Sequence, residues 1–126
     1  MTSAPLVPVT RTAEEVGLGF DSASAPVALT QEAWDLCVAW TDADSERQTY
    51  QEQDARLWDV LSVCGSTLQL SYLNFIRTSE HKFRVLCVPR DGTSTEAVRA
   101  FFVARADLST GWLIIHLIRC EPKEPE

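Results

Sequence analysis

The sequence predicts an α+β fold, with N-terminal helices, one of them long, packed on a C-terminal three-stranded antiparallel meander. Three observations lead there. From Ser45 to Phe75 the apolar residues Tyr50, Leu57, Leu61, Cys64, Leu68, Tyr72 and Phe75 fall on one arc of a helical wheel, with Trp58 at its border. After Phe75 the pattern changes to three β-rich segments, KFRVLCV (Lys82 to Val88), AVRAFFVARA (Ala97 to Ala106) and WLIIHLIRC (Trp112 to Cys120). The links between them, Pro89-Arg90-Asp91-Gly92 and Leu108-Ser109-Thr110-Gly111, are short and rich in turn formers, which makes consecutive strands antiparallel neighbours. The 126 residues suit one domain, burying about two thirds of the surface its unfolded chain exposes.

Residues 1–8 contain Pro5 and Pro8, which withhold backbone donors, so they read as an extended arm turning into a short edge strand around Val9. Thr10 or Thr12 caps a short helix with Ala13, Glu14, Glu15 and Val16 in its first turn. Gly17 and Gly19 end it, and Phe20 anchors the turn. Residues 21–25 are small and polar, a loop by composition. Pro26 to Leu29 is extended, and Thr30 N-caps a helix from Gln31 to about Trp40. Its inward face is Ala33, Trp34, Cys37, Val38 and Trp40, and Glu32 sits at its positive end.

The long helix is expected from about Ser45 to about Phe75, with Gly65 marking a close contact, a kink or a break at a cost of about 1 kcal/mol relative to alanine. On its wheel Asp44, Glu52 and Asp59 project outward beside Arg56, whereas Glu46 and Asp54 fall on or near the apolar arc. In the second strand Arg99 and Arg105 lie on one side and Val98, Ala100, Phe102 and Ala104 on the other. Residues 121–126, acidic and proline-containing, predict a flexible tail.

Charge is unevenly distributed. The net charge is -7, yet residues 1–60 carry eleven acids against three bases, a balance of −8, and residues 61–126 carry seven acids against eight bases. The front half therefore repels nucleic acid and anionic membrane and favours basic protein surfaces. Arg77, Lys82, Arg84, Arg90, Arg99, Arg105 and Arg119 cluster in the second half with Phe83 and Trp112 nearby. That half is close to neutral, so these bases are expected to meet acids of the helical half rather than phosphates.

The sequence carries few motifs for chemistry. Cys37, Cys64, Cys87 and Cys120 are far apart in sequence and lie in apolar stretches, and with His81 and His116 they make no zinc spacing, so they read as reduced, buried thiols. Asp42, Asp44 and Glu46 alternate like the start of a calcium loop but lack its glycine and closing glutamate, since Gln53 stands at the last position. His116 reads as a core or sheet-face residue, and His81 as a solvated turn residue. No phosphate loop, nucleophile elbow or HExxH helix is present, so neither a catalytic group nor a cofactor is expected. The N-terminal stretch lacks the pattern of a secretory signal, and Trp112 to Ile118 is too short to span a bilayer, which together predict a cytoplasmic protein.

Several stretches resemble a family of small uncharacterised proteins encoded on bacterial plasmids, phages and other mobile elements. They are Pro26 to Thr30 (PVALT), the Trp34, Cys37, Val38 and Trp40 spacing, Asp44-Ser45 with Arg47 to Gln51, Arg56 to Leu61 (RLWDVL) and Val88 to Gly92 (VPRDG). The resemblance implies an accessory gene of mobile DNA acting in a bacterial cytoplasm. Small acidic proteins of such elements are often anti-CRISPR or anti-restriction inhibitors, so the expected partner is a basic, nucleic-acid-binding surface of a host defence complex. Asp42, Asp44, Glu46, Glu52, Asp54 and Asp59 are the expected contact residues. The alternative is an accessory binding protein or regulator for plasmid or phage maintenance, a homodimer being one arrangement, whose acidic helix is only a solvated face.

Overall fold

The structure, a computed structural model, describes residues 5–17, 26–70 and 72–122. The expectations for Gly19, Phe20, residues 21–25 and the tail beyond Pro122 lie outside the described residues. In chain order the elements are β1 (Leu6–Pro8), α1 (Thr10–Glu15), β2 (Val27–Thr30), α2 (Gln31–Cys37), α3 (Asp42–Arg47), α4 (Gln53–Leu70), α5 (Tyr72–Thr78), β3 (Glu80–Cys87), β4 (Val98–Asp107) and β5 (Trp112–Glu121).

The α+β class holds, but the three-stranded meander is corrected to a five-stranded mixed sheet of order β1-β2-β5-β4-β3. β3, β4 and β5 do pair antiparallel in sequence. β2 then adds to the free side of β5 in parallel, with Val27 opposite Leu113 and Leu29 opposite Ile115. β1 closes that edge antiparallel to β2, so residues 6–8 are a paired edge strand rather than a free arm. Sequence reads both segments as extended but not their place in the sheet: they are only three and four residues long, and in β2 Val27, Ala28 and Leu29 are all buried, so no alternation of polar and apolar residues marks a sheet strand there.

The single long helix is corrected to α3, a loop and α4, followed by α5. Gln48 leaves helical geometry at φ −117° and ψ −88°, ending α3. α4 then runs uninterrupted through Gly65. The core half of the expected arc is right: Leu57, Leu61, Cys64 and Leu68 are buried. Tyr50, in the loop, is 73% exposed, and Trp58 points largely to solvent.

Caps follow local chemistry. Thr30 caps α2 by accepting from the Ala33 amide at 3.3 Å. α2 ends at Cys37 rather than at Trp40, with Val38 as its C-cap. α1 starts at Val9 with no side-chain cap, contrary to expectation. Thr10 instead accepts from the Val27 amide at 3.0 Å and so fastens α1 to β2. The chain leaves α1 through Gly17 at φ +81°, a left-handed conformation that glycine adopts without strain.

The core lies between one face of the sheet and α1, α2 and α4. Ala13, Ala33, Cys37, Leu57, Val60, Leu61, Cys64 and Leu68 meet Phe83, Val85, Ala100, Phe102, Ala104, Leu113 and Ile115. The expected split of β4 is right, with Ala100, Phe102 and Ala104 fully buried. Ile118 is the extra residue of a bulge, because Phe101 faces Arg119 while Phe102 faces Leu117. His81 is corrected from a solvated turn residue to a buried member of β3, stacked on Phe83 at 5.8 Å. The Thr67 hydroxyl donates to the Val63 carbonyl at 2.7 Å, so at 2.7 Å from Nε2 of His81 it accepts, which assigns the proton to Nε2. Glu121 is strand, not tail.

Candidate functional site

The polar residues of the 41–56 region divide into a buried set that builds the fold and an exposed set that faces outward. The buried set is organised by α3. Thr41 caps that helix with a capping box: its hydroxyl accepts from the Asp44 amide at 3.2 Å, and the Asp44 carboxylate accepts from the Thr41 amide at 2.8 Å. Asp44 is 1% exposed, so the expectation that it projects outward toward a partner is corrected. Arg47 binds one carboxylate oxygen, and Arg90 Nε binds the other at 2.8 Å. The capping bonds and Arg90 together outweigh desolvation and hold this carboxyl at about 2, below its ordinary 3.8.

One turn later Gln48 reaches the loop after β3. Its amide group donates to the Pro89 carbonyl at 2.9 Å and to the Ser94 carbonyl at 2.6 Å, and its carbonyl accepts from the Gly92 amide at 3.0 Å. Asp91 organises the same loop by accepting from the Thr93 and Ser94 amides at 3.0 and 2.8 Å.

Arg56 completes the hub. It is 4% exposed although it lies in the first turn of α4 on the side that the wheel turned outward. Its guanidinium donates to the carbonyls of Leu36 (3.1 Å), Val38 (3.0 Å) and Val88 (2.7 Å) and to Gln51 Oε1 (3.2 Å), and it lies 4.3 Å over the Trp40 ring. Every one of these partners is neutral. The neighbouring stretches 44–51 and 56–61 thus meet the distant stretch 88–92 in one hydrogen-bonded hub that ties α2, α3, α4 and the end of β3 together.

The exposed set is Asp42, Glu46, Glu52, Asp54 and Asp59. Glu46 and Asp54, placed on or near the apolar arc by the wheel, are exposed: Glu46 belongs to the separate helix α3, and Asp54 lies in the first turn of α4. Among the described residues none of the five forms an ion pair. Glu52 accepts from the Tyr50 hydroxyl at 2.6 Å, which pushes that phenol above its ordinary value, with Asp42 adding to the effect. Asp59 lines a small cavity with Cys37, Arg56 and Cys87.

The second half uses its bases differently from expectation. Among the described residues, Arg90 reaches an acid of the helical half, Asp44. Arg105 pairs with Glu80, and Arg99 and Arg119 both reach Glu121, so these pairs stay within the sheet. On the open sheet face Arg119 lies 4.2 Å and Arg99 5.7 Å from the Phe101 ring centre. An apolar ridge, Leu70, Leu73 and Ile76, is exposed on α4 and α5. His116 is half-buried on β5, beside Val103.

Among the described residues no group of three or more His, Cys, Asp or Glu side chains is placed to hold a metal ion, and no helix is long and apolar enough to cross a membrane. No family model matches the sequence, and neither curated proteins nor solved structures give a match.

Proposed function

We propose that this chain is a binding protein that acts by contact, presenting the carboxylates of Asp42, Glu46, Glu52 and Asp54 to a basic protein surface. A nucleic-acid-binding surface of a bacterial defence complex is the partner of that chemistry which the mobile-element resemblance suggests. One observation carries the reading: these exposed acids have no ion pair within the described residues, whereas Arg47, Arg90, Arg99, Arg105 and Arg119 are each engaged with a carboxylate. The free charge of the α3 and α4 region is thus negative, and such a surface associates fast with a basic one and weakens with salt. Asp44 leaves the contact set because the fold uses it, and Asp59 because it lines the cavity beside Arg56.

The test is a Glu46→Lys, Glu52→Lys, Asp54→Lys triple variant, compared with the natural chain in affinity capture from a host carrying several defence systems and in interference assays for each. Capture of a nucleic-acid-binding complex that is lost in the folded variant and lost above about 0.5 M salt supports the reading. Unchanged capture, or unchanged inhibition, overturns it.

A second reading rests on the exposed ridge. Leu70 is 89% and Leu73 77% exposed, more than a solitary surface leucine requires, which favours an accessory protein that self-associates through α4 and α5. Light scattering of the natural chain and of a Leu70→Ser, Leu73→Ser variant decides it, since a dimer that becomes monomeric supports this reading and a natural monomer removes it.

A further inference from the structure

The helix layer meets the end of β3 at a cavity of about 100 Å³ whose lining includes Cys37, Gln51, Arg56, Asp59, Cys87 and Val88. Two of its lining residues are cysteines: Cys37, at the end of α2, and Cys87, at the end of β3, face the same cavity beside Arg56. They are fifty residues apart in sequence, and Arg56 is what brings their backbones together. It grips the carbonyls of Leu36 and Val38 on either side of Cys37 and the carbonyl of Val88 directly after Cys87. All of its hydrogen-bond partners are neutral, so a buried guanidinium stands beside two thiols with no carboxylate bonded to it. Cys87 is half-buried and Cys37 fully buried, which gives the two different access to whatever enters the cavity.

We propose that Cys87 is a peroxide-reactive thiol and Cys37 its resolving partner, with the cavity as the place where a small hydroperoxide is received. The neighbouring Cys37 thiol and the charge of Arg56 outweigh burial and draw the Cys87 thiol below its ordinary value, which raises the thiolate fraction; Cys37, Cys64 and Cys120 are all pushed up. The Cys87 thiolate attacks one peroxide oxygen, the O–O bond breaks, and the other oxygen leaves as water or an alcohol after taking a proton. Cys87 is then a sulfenic acid. The Cys37 sulfur attacks that sulfur, the S–O bond breaks, and water leaves with the proton from Cys37. Two thiols are oxidised by two electrons and one hydroperoxide is reduced. The disulfide would bolt α2 to β3 at the hub.

The experiment treats the folded, reduced protein with hydrogen peroxide, alkylates at timed intervals and maps the thiols by mass spectrometry without reduction. Expected is loss of two free thiols per chain and a linked peptide pair containing Cys37 and Cys87, while Cys64 stays free. In Cys37→Ser, Cys87 accumulates as a dimedone-trapped sulfenic acid. In Cys87→Ser, checked for folding by circular dichroism, Cys37 stays reduced over the same period. Several results would overturn the proposal: a Cys37–Cys120 disulfide, a Cys87 that oxidises no faster than Cys120, or oxidation of all four thiols at the rate seen in denaturant.

Discussion

Replacing Arg56 with methionine tests the hub directly, because methionine keeps much of the aliphatic stem and removes every donor. Three carbonyls lose a bond, but their fates differ. Leu36 still accepts from the Arg90 amide at 2.9 Å, so it stays satisfied. The carbonyls of Val38 and Val88 lose the guanidinium that reached them at 3.0 and 2.7 Å. An unsatisfied buried carbonyl costs roughly 1–3 kcal/mol, so the two cost about 4 kcal/mol together. Loss of the cation stacked on Trp40 adds about 1 kcal/mol. Relief from desolvating the charge works the other way, and burial already pulls the Arg56 guanidinium below its ordinary value. The expected net loss is about 3–4 kcal/mol, a large part of the roughly 5–15 kcal/mol that stabilises a domain. Urea unfolding followed by circular dichroism and tryptophan fluorescence measures it, with the natural chain and an Arg56→Lys variant in parallel. Lysine cannot reach both carbonyls at once and should recover less than half of the loss. If methionine cost under 1 kcal/mol, the hub would not hold the fold and Arg56 would be free for another role.

Asp44→Asn removes the charge that Arg47 and Arg90 share and leaves the capping geometry in place, so the midpoint of urea unfolding at neutral pH should fall. The folded carboxyls of Asp44 and Asp91 both sit at about 2 against 3.8, so their contribution is present above about pH 4 and disappears as pH falls toward 2; the asparagine variant should show a shallower acid limb. His81 is lowered from 6.5 by burial, so the unfolded chain takes up its proton first and stability should decline as pH falls below about 6.5. In His81→Phe that slope should shrink, with the remainder from His116, which burial and Arg105 also lower; an unchanged slope would mean that His81 does not titrate with unfolding. Thr67 keeps its bond to Val63 in that variant, so folding at neutral pH should survive.

Local chemistry made much of this protein readable from sequence. The alternation in residues 82–88 and 98–104, the turns at Asp91-Gly92 and Gly111, the Thr30 cap and the Leu57 to Leu68 face are each decided by neighbours within a few residues, and each sits where the pattern put it. The acidic balance of the first half is also a property of sequence alone. Which acids are free is not. Asp42 and Asp44 differ by two positions, yet one is exposed and the other closed over by Arg47 and Arg90, the latter 46 residues away. The parallel pairing of β2 with β5 joins residues more than 80 apart, and the break between α3 and α4 exists because Gln48 turns to satisfy the loop at residues 89–94. Arg56 is the clearest case. Its sequence neighbourhood assigns it to a surface, and only the convergence of three carbonyls from two segments, 36–38 and 88, makes burying a guanidinium favourable. Sequence determined the three later strands, the buried face of α4 and the sign of the charge. Tertiary structure decided which polar groups build the molecule and which remain to meet another, because a buried charge is tolerated only where distant backbone satisfies it.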